Sequence, residues 1–194
     1  MSLAVILATG PSLHASDIEL FISGDIRLYA VNDAYRLAPY ADYLLAGDGV
    51  WWDHHYGRVK QHSYSDLWTT DRRAHQEYGI NHFQLTRPFY SANSAIQAVC
   101  LATHIHHCRR VVLLGQDLHD HNGKHFFGSH PPPLDRPSRY GNFIDMFCRL
   151  KETEWEPMGV EIVNATPGSA MTCFPVMTPL EALEWLKTTP AKES

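Results

Sequence analysis

The strongest constraint on this chain is a pair of uninterrupted apolar runs, each of which stops abruptly in small and polar residues. Val111-Val112-Leu113-Leu114 gives way to Gly115-Gln116-Asp117, and Ala4-Val5-Ile6-Leu7-Ala8 gives way to Thr9-Gly10-Pro11-Ser12. A strand apolar on both faces must be covered on both faces, which is the condition of a parallel sheet flanked by helices. Ile26 to Val31 repeats the pattern and ends in Asn32-Asp33; Asp42 to Ala46 ends in Gly47-Asp48-Gly49. Val160 to Val163 ends in Asn164-Ala165-Thr166-Pro167-Gly168-Ser169. Between these runs lie helical patterns. Ser16-Asp17-Ile18-Glu19 reads as a capping box that opens a helix through Ile22, with Gly24 placed to stop it. Ser91 to His106 carries an apolar stripe through Ala95, Ile96 and Val99, and Tyr140 to Glu156 carries another through Phe143, Ile144, Phe147 and Leu150. Pro179 to Leu186 reads as a closing helix. Trp51 to Glu77 has poor periodicity, and only a helix near its start is expected there. Strands alternating with helices predict an α/β fold with a doubly wound, mostly parallel, Rossmann-like sheet, in one domain over residues 1–190.

Sheets of this kind bind ligands outside the carboxyl ends of their strands, at the point where the strand order reverses. The polar strand ends are therefore the candidate site. Gly10 lets the chain turn tightly and approach a ligand, and Ser12 lies where an anion can be held near a helix start. Asn32 and Asp33 suit a ribose or base, or a structural Asx turn. Asp48 and Asp117 can hold Mg²⁺ bridging phosphates, accept from sugar hydroxyls, or cap helices. From His119 to Tyr140 the sequence is polar, with Pro131-Pro132-Pro133 in its middle, and is expected to be a mobile loop over the crevice. Thirteen histidines are many for this length, and four of them (His119, His121, His125 and His130) lie in that loop as candidates for general acid or base. Asp117-x-His119-x-His121 also permits Zn²⁺ or Mn²⁺, with no helical H-E-x-x-H pattern behind it. Trp51-Trp52 with Tyr56 can stack on a base or pack in the core. His54-His55 and His106-His107 read as surface or helix-end residues, and Asp71-Arg72-Arg73 as a solvated turn.

Composition narrows the classes further. The 194 residues can bury roughly 70% of their unfolded surface without a staple. The net charge of −5 argues against duplex nucleic acid as a partner. No run approaches the ~18 apolar residues of a membrane span. Met1-Ser2-Leu3 leads straight into the first strand with no basic region before it, so a cytoplasmic location is expected. Cys100, Cys108, Cys148 and Cys173 are widely spaced and read as buried free thiols.

In combination these pieces resemble a known superfamily. Val5 to Leu13, with its Gly-Pro-Ser-Leu loop, is similar to the opening of the bacterial sialyltransferases of the glycosyltransferase 42 family. It is equally similar to the motility accessory factor and archaeal hydroxymethylpterin pyrophosphokinase group. Val31-Asn32-Asp33, Ser91-Ala92-Asn93-Ser94, Gly115-Gln116-Asp117-Leu118, Asn122-Gly123-Lys124-His125 and Asn164 to Ser169 extend the resemblance in the same order. It implies a nucleotide held by Gly10, Ser12, Asn32, Ser91, Asn93, Gly115 and Thr166, Gly168 and Ser169. Gly49-Val50-Trp51-Trp52 departs from the donor-contacting segment of the sialyltransferases. Their lid carries a catalytic His, but none falls near Pro137 to Arg139 here, and His130 or His125 is the substitute. Short chains of this type also resemble phage and prophage proteins. The expected activity is transfer from a nucleotide-activated donor, first of all a CMP-linked nonulosonate sugar, without a cofactor. The alternatives are Mg²⁺-dependent pyrophosphoryl transfer from ATP to a small alcohol such as a hydroxymethylpterin, with Asp117 and Asp48 on the metal, and a non-catalytic nucleotide-sequestering module. Exposed tryptophans would permit a homo-oligomer.

Overall fold

The structure, a computed structural model, describes residues 2–62, 66–85, 93–121, 123–135 and 137–188. Seven strands form one sheet: β1 Leu3–Leu7, β2 Ile26–Val31, β3 Tyr43–Leu45, β4 Asp66–Thr69, β5 Asn81–His82, β6 Arg110–Leu114 and β7 Glu161–Asn164. Their order is β5-β4-β3-β2-β1-β6-β7, and every pairing is parallel. The chain winds outward from β1 to β5, then returns to lay β6 on the other side of β1. The switch point thus lies between β1 and β6, whose last residues Leu7 and Leu114 are in register.

The apolar runs fold this way because alternate residues serve two cores. Ile6, Tyr29, Val31, Val111, Leu113 and Ile162 face one side, against Ile96 and Val99 of α4 (Ser94–Cys100) and Phe147 and Leu150 of α5 (Tyr140–Leu150). Val5, Leu7, Leu28, Ala30, Val112 and Leu114 face the other. There they meet Ile18 of α1 (Ala15–Glu19), Trp52 and Val59 of α2 (Gly49–Val59), Ala74 of α3 (Arg72–Tyr78) and Ala182 and Leu186 of α6 (Pro179–Lys187). Helices α4 and α5 each run on into a wider π turn, over Leu101–Ile105 and Lys151–Trp155. Among the described residues no helix is long and apolar enough to cross a membrane.

Several local expectations are corrected. The first helix has His14 at its N-cap and no side-chain cap, so Ser16 and Glu19 form no capping box; it ends at Glu19, well before Gly24. A capping box is present instead at Thr178, which accepts from the Glu181 N–H while the Glu181 carboxylate takes the Thr178 N–H. The unassigned stretch after α2 contains β4, α3 and β5, and Asp71-Arg72-Arg73 opens α3, with Asp71 as its N-cap. Trp51 and Trp52 are buried, so they offer no surface for self-association. His55 and His106 are not surface residues: His55 is buried beside Tyr35, and His106 is half-buried, its Nδ1 2.8 Å from the Tyr29 hydroxyl. All four cysteines are free, but only Cys100 and Cys108 are buried; Cys148 and Cys173 are half-buried.

The two caps make a paired prediction. Thr178→Ala should cost about 1 kcal/mol, a fall of roughly 2–4 °C in Tm, whereas Ser16→Ala should be neutral within error. Chemical and thermal denaturation of both variants checks it.

Candidate functional site

The turns that follow β1 and β6 meet at the switch point. The Ala8 N–H donates to the Leu114 carbonyl and the Gly10 N–H to the Gly115 carbonyl, both at 2.9 Å. A Cβ on Gly10 would collide with the Asp117 carboxylate and the Gly115 carbonyl, so only glycine permits this approach. Ser12 Oγ donates to Asp117 Oδ2 at 2.8 Å. Gly115 has a φ of +67°, and Leu118 is held at +56°, a backbone conformation that costs a bulky side chain roughly 1–3 kcal/mol. The turn is fixed from behind by the loop after β7. Thr166 Oγ1 accepts from the Gln116 N–H at 3.0 Å, Ser169 Oγ donates to the Gln116 carbonyl at 2.6 Å, and the Ala170 N–H donates to the Asp117 carbonyl at 2.9 Å.

Above this junction opens a cleft of about 670 Å³. Of the residues singled out in the sequence, Gly10, Asn32, Asp48, Trp51, Asn93, Gly115, Asp117, His119, His125 and His130 line it, whereas His121 does not. Ser12, Thr166 and Ser169 do not; they hold the turns that do. Gly168 lies behind the wall, where its carbonyl is 3.1 Å from His119 Nε2. Ser91 falls outside the described residues. Asn32 and Asp33 part company: Asn32, at a φ of +48°, lines the cleft, while the Asp33 side chain is fully buried. Asp48 and Asn93 also cap helices, Asp48 accepting from the Val50 N–H and Asn93 from the Ile96 N–H, both at 2.9 Å.

Sequence reasoning missed Gln97, Asp71, Lys124 and Tyr140 in the lining. Lys124 lies in the Asn122-Gly123-Lys124-His125 stretch of the resemblance, which does not assign it to the lining; Asp71, Gln97 and Tyr140 belong to no motif and are brought to the rim by tertiary folding. The Tyr140 hydroxyl is sealed from solvent and has no hydrogen-bond partner among the described residues. Lys124 pairs with Asp135 at 2.9 Å. Asp48, Asp71 and Asp117 lie along the floor and the β3–β4 side, and Lys124 is the single Lys or Arg of the described lining. Asp48 and Asp117 each use one carboxylate oxygen internally, on Val50 and Ser12, and among the described residues no hydrogen bond engages the other. Among the described residues no group of three or more His, Cys, Asp or Glu side chains is arranged to hold a metal.

The loop from His119 to Arg139 is tied to the β1 turn. The Phe126 N–H donates to the Thr9 carbonyl at 3.1 Å, and Thr9 Oγ1 lies 3.1 Å from His125 Nδ1. His125 and His130 pack edge to face, 4.8 Å between ring centroids, with Phe127 against both. Burial pushes the His125 imidazole down to about 4, and the His130 ring beside it adds to the depression. Burial also lowers His130, against the opposing pull of Asp33. Both rings are therefore neutral near pH 7, which is the form that can accept a proton.

In fold the protein belongs with doubly wound α/β proteins, and its cleft sits at the switch point of the sheet. It is similar in fold to the sialyltransferase CstII from Campylobacter jejuni, solved in complex with a substrate analogue, cytidine-5'-monophosphate. The TM-score is 0.63 at 12% sequence identity, over 92% of this chain and 86% of that one. No family model matches the chain, and no curated protein matches it by sequence.

Two outcomes follow from this geometry. Gly10→Ala should destabilise the protein by roughly 1–3 kcal/mol through overpacking, read by urea unfolding. His125 has a depressed value in the folded state, so unfolding takes up its proton as the pH drops. Its contribution is complete above about pH 6.5 and is lost toward pH 4. The slope of stability against pH over that window should flatten in His125→Gln, partially, because burial holds His55 at about 4 as well.

Proposed function

We propose that the protein is a nucleotide-dependent transferase acting on a CMP-linked sugar, in its leading form a nonulosonate of the sialic-acid type. The observation that carries this reading is the switch-point cleft, in which neutral histidines, an unpaired phenol and a lysine face a floor built for close backbone approach. The fold shared with a sialyltransferase that binds cytidine-5'-monophosphate points the same way.

Charge sorts the ligand along the cleft. The phosphate and any sugar carboxylate belong beside Lys124, Tyr140 and the histidines, away from Asp48 and Asp71, whose carboxylates suit hydroxyl or amino groups. Asn32 and Gln97 then present amides to ribose or base. In the transfer step a loop imidazole takes the proton of the acceptor hydroxyl, whose oxygen attacks the anomeric carbon. The bond from that carbon to the phosphate oxygen breaks, the electron pair stays on the departing CMP, and Lys124 and Tyr140 offset its charge. An anion bound next to His125 and His130 raises their proton affinity, so the weak bases of the empty cleft strengthen when the donor arrives. Pyrophosphoryl transfer from ATP would instead need Mg²⁺ on the free oxygens of Asp117 and Asp48.

A thermal-shift panel separates these readings. CMP at 100 times its Kd should add about 2.7 kcal/mol, or roughly 5–10 °C in Tm, without added metal. Stabilisation by ATP only with Mg²⁺, lost in Asp117→Ala, would replace the sugar-transfer reading with the pyrophosphokinase. Replacement of the catalytic histidine, His125→Gln or His130→Gln, should leave CMP binding within a few-fold and reduce turnover by about 10²–10⁴. CMP binding by the wild type with no turnover of any CMP-sugar would leave a sequestering module.

A further inference from the structure

Asp33 sits at the end of β2 with its side chain wholly inside the protein, and four groups converge on it. Arg36 reaches Oδ1 at 2.6 Å and Trp51 Nε1 donates to Oδ2 at 2.9 Å. His55 Nε2 lies 3.9 Å from Oδ1, and His130 Nδ1 lies 3.8 Å from Oδ2. His55 is fixed from its other side, by Tyr35 at 3.2 Å and by stacking on Trp51 at 4.4 Å. Both facing nitrogens, His55 Nε2 and His130 Nδ1, are sealed from solvent without a hydrogen-bond partner among the described residues; His130 differs in that it belongs to the cleft wall. A buried ring nitrogen without a partner is costly unless something nearby answers it. The nearest charged acceptor is the Asp33 carboxylate, less than 1 Å beyond hydrogen-bond range.

We infer that Asp33 is a positioning residue for His130: it holds the proton on Nδ1 and leaves the Nε2 lone pair for the cleft. The inference rests on the transferase reading for its use and on the geometry above for its existence. A carboxylate behind an imidazole selects the tautomer, keeps the ring oriented, and stabilises the imidazolium that forms when the ring accepts a proton. The 3.8 Å separation is the open state of such a pair, since catalytic hydrogen bonds tighten when ligand arrives. The assignment also distinguishes the two loop histidines. His125 Nδ1 faces the neutral Thr9 hydroxyl, whereas His130 Nδ1 faces a carboxylate, so His130 is the ring equipped to carry positive charge during turnover. The other charged groups around His130 are Arg36, Lys124 and Asp135, with His125 against its face and His55 across Asp33. Arg36 and Lys124 oppose protonation, while Asp33 and Asp135 favour it.

Long-range proton–nitrogen correlation of the imidazoles in the uniformly ¹⁵N-labelled full chain tests this, with His130→Asn identifying the resonances. The wild type is expected to show His130 as the Nδ1–H tautomer at pH 7.5. Asp33→Asn should lower its proton affinity about tenfold or more and populate the Nε2–H form, with a smaller change at His125. A wild-type ring found mainly as Nε2–H overturns the inference outright, as does an unaltered tautomer and midpoint in Asp33→Asn. Should that variant not fold, Arg36→Gln serves in its place: removal of the opposing cation should raise the His130 midpoint, and an unmoved midpoint counts against the assignment. Nucleotide binding is read separately by thermal shift. An Nδ1–H ring in a protein that no nucleotide stabilises would sink the transferase reading and leave the pair standing. CMP stabilisation with an Nε2–H ring would do the reverse.

Discussion

The cleft depends on one close contact, the meeting of the β1 and β6 turns over a glycine with no room for a Cβ. Parallel neighbours at a switch point send their connections to opposite faces of the sheet, which opens a crevice between them. How deep that crevice is depends on how nearly the two backbones touch at its floor. Here the Gly10 N–H bonds the Gly115 carbonyl and the Asp117 carboxylate fills the space a side chain on Gly10 would occupy. Ser12 locks that carboxylate, and the β7 loop locks the next residues through Thr166, Ser169 and Ala170. Three strand ends thus converge on Gln116 and Asp117. The positive φ of Leu118, the next residue, is what this convergence costs in backbone strain.

The second wall is built differently. It has no helix or strand of its own until α5, so it borrows order from the β1 turn through Thr9, Phe126 and His125. Phe126 and Leu134 pack against the core that holds Val5, Leu7 and Leu28, and Phe127 lies between the two histidines and the Arg36 guanidinium, 4.9 Å from its ring centroid. Burial keeps both imidazoles neutral, and beneath them the buried Asp33 carboxylate pairs with the partly exposed Arg36 guanidinium. Floor and wall are therefore unlike electrically, with aspartates on one side and neutral bases with a single lysine on the other.

The sheet was legible in the sequence where strands are long and apolar on both faces, and illegible where they are not. β1, β2, β6 and β7 announce themselves because nearly all of their inner residues are buried, Arg27 of β2 being the half-buried exception. β4 and β5 have four and two residues, mostly half-exposed, and α3 buries Ala74 alone, so no period survives to be read. The Ser16 box failed because the helix begins two residues earlier, at a position with no side chain able to cap it. For the site, a residue directly after a strand was readable as lining, as Gly10, Asn32, Asp48 and Asp117 show. Which of two adjacent polar residues faces the ligand was not. Asn32 and Asp33 are neighbours with opposite fates, because the left-handed residue turns the next side chain inward. Tyr140 and Gln97 reach the rim only through tertiary packing, which no local pattern encodes.

A fold shared at 12% identity shows how far the sequence of such a sheet can diverge. Apolar strand positions tolerate exchange among residues of similar volume, so the sheet can persist while its sequence drifts. The turns have no such latitude: Gly10 is confined by Asp117, and Gly47 by the Gln97 amide that a Cβ there would strike. Those contacts fix the backbone of the cleft and leave its lining free to change. What the lining here has become is informative. With three aspartates and one lysine in the described lining, net attraction would not be what draws in the phosphate of the proposed donor. On the proposed transferase reading, binding comes from directed hydrogen bonds made as the loop residues Lys124, His125 and His130 and the Tyr140 phenol surround the anion. A site that recognises its ligand in this way charges its bases only when the ligand is already present.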